Sequence, residues 1–212
     1  SRVFMSGSNS SNRAAEGAKC LRKSVTLQPG DPMAWNNLAN ALKSLGQFTE
    51  ALQATDRALA LNPGYGMAHC TRANVLMQLQ QRPAALQAYD AALHFAPGLP
   101  DALVGKAIVC LALDQPATAL ALADQALAAQ PEAPESLLVR ALSLHQLKRY
   151  REAIDACLKV QKLVPGHMEA LMCLVWSRAA VCEWHDAAAD EQTLAHKIMW
   201  EGKVPSTPFA LL

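Results

Sequence analysis

The chain has 212 residues, 51% of them hydrophobic, and a formal net charge of +1. That length allows one or two globular domains, but the near-neutral charge offers no broad cationic field to hold nucleic acid or anionic lipid. Charges and prolines break up the apolar residues before any run reaches the roughly 18 that a membrane-crossing helix needs. The opening SRVFMSGSNSSN also lacks the long apolar centre of a signal peptide. A cytoplasmic protein with protein partners is therefore expected, with no nucleic acid and no membrane among them. The six cysteines form no Cys-x-x-Cys pair, so they are read as reduced, small hydrophobes, which suits the cytosol.

Five prolines, Pro29, Pro63, Pro97, Pro131 and Pro165, recur at a constant interval of 34 residues, which divides the chain into units. Residues 1–12, rich in Ser, Asn and Gly, are expected to be a disordered leader. An amphipathic helix over 13–27 follows, in register with the second helix of a partial repeat. The first full repeat spans 32–65, with helices predicted over 32–45 and 49–61. Asp31 is its N-cap and Pro32 its first-turn residue, and Gly46 suits a left-handed C-terminal turn. The second repeat, 66–99, has helices over 66–79 and 83–95. The third, 100–133, has them over 100–113 and 117–129. The fourth, 134–167, has them over 134–147 and 151–163. The fifth, 168–201, has helices over 168–181 and 185–200 and no closing proline. Residues 202–212 leave the pattern and are read as a tail, or as the start of a linker to a further domain.

Counting Pro32 as position 1 of a repeat, position 8 holds Ala39, Ala73, Ala107, Ala141 and Val175. Position 20 holds Ala51, Ala85, Ala119, Ala153 and Ala187. Position 27 holds Ala58, Ala92, Ala126, Val160 and Leu194. Small side chains in these columns let neighbouring helices approach closely, and larger ones would overpack at roughly 1–3 kcal/mol each. With Trp35, Leu38, Ala39, Leu42, Ala51, Ala58 and Pro63 in the first unit, the chain resembles the tetratricopeptide-repeat family. The resemblance implies an all-α solenoid, a right-handed superhelix of about five helix pairs plus one leading helix. Each repeat in such an array touches only its neighbours.

Signals for catalysis are poor. No Gly-rich phosphate loop, Gly-x-Ser-x-Gly or His-Glu-x-x-His occurs. Cys182, His185, Asp186 and His196 are the best local set of metal-ligating types, and their spacing does not converge three or four ligands on one point. No catalytic residue, metal or cofactor is expected.

Binding signals are better. In the family the first helix of each repeat lines a concave groove, and positions 2, 5, 6, 9, 12 and 13 usually face it. The resemblance therefore implies a peptide-binding face carrying Asn36, Asn37, Asn40, Lys43, Thr71, Asn74, Gln78, Val104, Ile108, Leu138 and Trp176. Asparagine offers both a donor and an acceptor, so Asn37, Asn40 and Asn74 suit the backbone of an extended peptide. The groove turns apolar from Val104 to Trp176 and calls for a covering partner or for internal packing. The family's clamp for a C-terminal carboxylate is not matched: Asn36, Thr71 and Gly105 stand where Lys, Asn and a basic residue belong.

The run Val181-Cys182-Glu183-Trp184-His185-Asp186, with residues 205–212 beyond it, is similar to the junction between repeats and catalytic region in O-GlcNAc transferases and their bacterial SPINDLY-like relatives. That likeness implies a substrate-selecting arm whose catalytic half lies elsewhere. The rival expectation is a free-standing adaptor or chaperone that holds an apolar segment. Self-association is left open.

Overall fold

The computed structural model describes residues 5–182, with side chains from residue 15 on. Among the described residues the chain forms ten α-helices and no strand: α1 (Met5–Leu27), α2 (Pro32–Ser44), α3 (Phe48–Leu61), α4 (Gly66–Gln78), α5 (Arg82–Phe95), α6 (Pro100–Ala112), α7 (Pro116–Ala129), α8 (Pro134–Gln146), α9 (Tyr150–Leu163) and α10 (Met168–Ala180). From α2 to α10 every end falls within one residue of the sequence expectation. The predicted helix over 185–200 and the tail lie outside the described residues.

The leader expectation needs correction. Helix α1 starts at Met5, not at residue 13. Its early Ser, Asn and Gly residues are weak helix formers, but none is proline, and extending an existing helix gains one hydrogen bond per residue ordered.

The chain divides inside α6 into two compact units, residues 1–105 and 106–212. In the first, α2 pairs with α3 and α4 with α5, α1 packs on α2 and α3 on α4, and the first helices α2 and α4 also touch. In the second, α8 pairs with α9, α7 packs on α8 and α9 on α10, and α8 touches α10. The small-residue columns explain this closeness. Ala39, Ala73, Ala107 and Ala141 are fully buried, as are Ala51, Ala85, Ala119 and Ala153, and Ala58, Ala92, Ala126 and Val160.

The local chemistry repeats as well. Asp31 caps α2 by accepting from the Met33 N–H at 2.9 Å. Trp35 donates its indole N–H to the Pro29 carbonyl at 2.9 Å, and His69, one repeat on, donates Nε2–H to the Pro63 carbonyl at 2.8 Å. The first helix of each repeat ends on a residue with positive φ: Gly46, Gln80, Asp114, Lys148 and Cys182. At the first four, the next residue's N–H reaches back to satisfy a carbonyl in the helix's last turns, Leu42, Leu76, Cys110 and Leu144 respectively. Asp56 with Arg72 and Asp124 with Arg140 form equivalent ion pairs at 3.0 and 2.8 Å, joining a second helix to the next first helix. Both pairs are solvent-exposed, so each contributes at most about 1 kcal/mol.

Candidate peptide-binding face

The expected face divides sharply by position. Positions 5 and 6 are packed, not open. At position 5, Asn36 is 1% exposed, and Cys70, Leu138 and Met172 are buried while Val104 is half-buried. At position 6, Thr71, Gly105, Val139 and Cys173 are all buried, and only Asn37 in the first repeat is exposed. Asn36, Thr71 and Leu138 are therefore not accessible to a peptide backbone. The reason is geometric: neighbouring helices close over these two positions, leaving the outward row to positions 2, 9 and 13.

In the first unit that outward row carries Met33 (59% exposed), Met67 (50%), half-buried Asn40 and Asn74, and exposed Ser44 and Gln78, with Lys43 half-buried beside them. Met33 and Met67 are the position-2 residues of the expected groove-facing column, and both are exposed. Asn40 donates from Nδ2 to Thr71 Oγ1 at 3.3 Å, and Thr71 in turn donates to the Met67 carbonyl at 3.0 Å. Asn74 accepts on Oδ1 from the Tyr89 hydroxyl at 2.5 Å, while its Nδ2 makes a long 3.9 Å contact to Cys70 Sγ. The two amides, at the same position of successive repeats, are thus oriented oppositely. Asn40 is held by its nitrogen and leaves Oδ1 for a donor. Asn74 is held by its oxygen and leaves Nδ2 for an acceptor. Cys70 beneath them stays a neutral thiol, because burial and then Asp101 push its pKa up to about 11.

Tyr89 sets the limits of this site. It is 2% exposed, and Gly105 faces its ring so closely that a Cβ there would lie under 3.0 Å from it. The lost asparagine at position 6 is therefore a packing choice: the Tyr89 ring occupies the space that a side chain at 105 would need.

In the second unit the outward row is apolar and acidic. Ile108 and Trp176 are exposed at position 9, with half-buried Leu142 between them in sequence, and Glu135 and Glu169 stand at position 2. His145 at position 12 is half-buried. Its Nδ1 lies 2.8 Å from the Ser177 hydroxyl, within hydrogen-bonding distance, its ring meets Tyr150 edge-on, and burial lowers its pKa. Among the described residues no three His, Cys, Asp or Glu side chains converge as a metal site would require, and no helix is long and apolar enough to cross a membrane.

Family models described as tetratricopeptide repeat match residues 32–65 and 105–167. No curated protein matches the chain. Among solved structures, that of pilF from Pseudomonas aeruginosa is similar at a TM-score of 0.78 and 18% identity, over 93% of this chain and 89% of that one. YrrB, described as a TPR protein with an unusual peptide-binding site, is similar at a TM-score of 0.67 and 22% identity, over 84% and 91% of the two chains. The MamA protein gives 0.66 and 14% over 82% and 94%. At such identities these are likenesses of fold. Residues 32–65 and 105–167 are thus tetratricopeptide repeats, and the paired helices and constant proline interval give the described residues the fold of a tetratricopeptide-repeat solenoid.

Proposed function

We propose that the chain is a protein- and peptide-binding scaffold, and that its first unit holds an extended segment across α2 and α4. The observation that carries this reading is the opposed pair Asn40 and Asn74. One presents an acceptor and the other a donor, which is what a peptide backbone needs from a surface that does not read its side chains. Met33 and Met67 flank the pair as adaptable apolar contacts, and Lys43 favours a segment carrying an acidic residue nearby. Asn37, exposed on the same helix, adds a further amide to the ladder, and Gln78 borders it. The pairing of a similar fold with a peptide-binding site in YrrB supports the reading. Selecting peptides from a displayed random library and titrating them against the N40A/N74A variant tests it. The expected loss is about 10- to 100-fold, one or two hydrogen bonds' worth. Unchanged affinity would refute the ladder.

A second reading rests on the run from Val181 to Asp186. Here the scaffold is the substrate-selecting arm of a SPINDLY-like glycosyltransferase, and the segment it holds is an acceptor polypeptide. Residues 183–212 lie outside the described residues, so the reading stands on sequence alone. Several hundred further codons with alternating strand and helix patterns after Leu212 favour it. A stop codon there favours the free-standing adaptor, with Ile108 and Trp176 of the second unit exposed towards an apolar segment.

A further inference from the structure

The second unit carries two exposed surfaces of opposite charge. On α9, at about 3.6 residues per turn, Arg151, Asp155, Leu158 and Lys162 fall in one stripe, with Lys159 beside them. All five are exposed, Leu158 by 43%. The other side of α9 is buried where the helix meets α8 and α10. Among the described residues none of the three cations forms an ion pair. The other surface is the outward row of α8 and α10, which touch each other. It reads Glu135, Leu142 and Gln146 on α8, and Glu169, Trp176 and Ala180 on α10. Trp176 is 38% exposed, and among the described residues neither glutamate forms an ion pair. The two surfaces share one spacing. Leu158 lies seven residues after Arg151, just as Leu142 follows Glu135 and Trp176 follows Glu169. That interval is about 10 Å along a helix. Laid in the same direction, the stripe sets Arg151 against the two glutamates, Leu158 against Leu142 and Trp176, and Lys162 beside Gln146. Asp155 then falls opposite buried Val139 and Cys173, where no like charge meets it.

We propose that the second unit binds a second copy of this chain, which seats the exposed stripe of its α9 over the groove between α8 and α10. Charge complementarity selects this occupant: carboxylates stand on one surface and cations on the other, at matching intervals, each beside an exposed apolar residue. The leucine and the tryptophan leave water together, and the charges fix register and direction. A helix resting between two touching helices is ordinary packing, with axes about 8–10 Å apart. The two surfaces are different parts of one unit, so the contact is heterologous. A copy that has accepted an α9 still offers its own, and association continues past the pair. The formal net charge of +1 leaves little self-repulsion to oppose it. Nothing in this contact depends on the Asn40 and Asn74 pair.

Sedimentation velocity of the full chain over a range of concentrations tests this. The wild-type mean mass is expected to rise with concentration beyond that of a dimer. Two charge reversals are expected to stay monomeric: Glu135→Lys with Glu169→Lys, and Arg151→Glu with Lys162→Glu. Mixed in equal amounts they are expected to associate again, because each supplies the surface that the other has lost. Leu158→Ser changes one exposed side chain and is expected to weaken association about tenfold, which covers the case in which a reversal unfolds the chain in circular dichroism. The N40A/N74A variant, altered in the first unit alone, is expected to associate as the wild type does, so a failure here is distinct from a failure of peptide binding. The proposal is overturned if the wild type stays monomeric throughout, including the case in which its second unit takes a basic amphipathic peptide instead. It is also overturned if growth stops at a pair, if folded reversed variants associate as the wild type does, or if their mixture stays monomeric.

Discussion

In the first unit the second-helix position that faces the next repeat carries Tyr89, and Gly105 stands opposite. In the second unit the same two positions carry Cys157 and Cys173. One interface is filled by a single large ring against nothing, the other by two side chains of moderate size. The space between the helices is shared, so growth on one side demands shrinkage on the other. Position 9 is not under that constraint. It holds Asn40 and Asn74 in the first unit but Ile108, Leu142 and Trp176 in the second, and it is where the units differ in what they offer a partner. A change at position 6 therefore reports on packing, and a change at position 9 on recognition.

The largest expected effect breaks the Tyr89 and Gly105 pair. Tyr89→Ala empties a filled interior and costs about 3–5 kcal/mol in urea unfolding. Gly105→Ala alone destabilises by about 1–2 kcal/mol, because overpacking against the enclosed ring exceeds the roughly 1 kcal/mol that Ala gains over Gly within a helix. In the Tyr89→Ala background the sign reverses, and Gly105→Ala becomes stabilising by up to about 1 kcal/mol. An unchanged sign there would mean that the ring is not what keeps position 105 bare.

This pair also marks how far the sequence could be read. The helix ends and the three alanine columns were legible, because small residues in one phase have a single structural use. Position 6 was not. Asn37 is exposed, but the residues at the same position of the later repeats, Thr71, Gly105, Val139 and Cys173, are interior. Nothing local separates the two cases, since burial there depends on a neighbour 16 residues earlier. Gln80, Asp114 and Lys148 in left-handed turns were also invisible, because only Gly46 announces that conformation by residue type. His69 doing the work of Trp35 was hidden for the same reason: an imidazole and an indole share a ring N–H but little else.

Asn36 sharpens the comparison at position 5. Its Oδ1 is buried and finds no donor within the protein, whereas the equivalent residue in the second unit is the apolar Leu138. Asn36→Val is expected to stabilise by about 1 kcal/mol, since it removes an unpaired polar group from the interior. Chemical denaturation of the variant checks it, and a loss of stability would mean that the amide is satisfied in solution.

The left-handed turns give a smaller difference. Both complete turns of the second unit, at Asp114 and Lys148, use residues with a Cβ, against one of two in the first. Replacing Gln80, Asp114 or Lys148 by Gly relieves backbone strain and should stabilise by about 0.5–1 kcal/mol each. Gly46→Ala should destabilise by a similar amount. Thermal midpoints would therefore rise with two available substitutions in the second unit and one in the first.

The smallest effect belongs to the second unit. Burial lowers the pKa of His145 below its ordinary value of 6.5. A depressed histidine means that the unfolded chain binds its proton first as pH falls. The contribution of the neutral ring is then complete above about pH 7 and is lost as pH drops below 6.5 towards the folded-state value. Nδ1 lies 2.8 Å from the Ser177 hydroxyl, a contact that either tautomer can keep, so desolvation is the cause of the shift. Unfolding free energy measured from pH 7.5 to 5.5 should decline gently in the wild type, and His145→Gln should flatten that decline. An equal slope in both would move the pH dependence to another group.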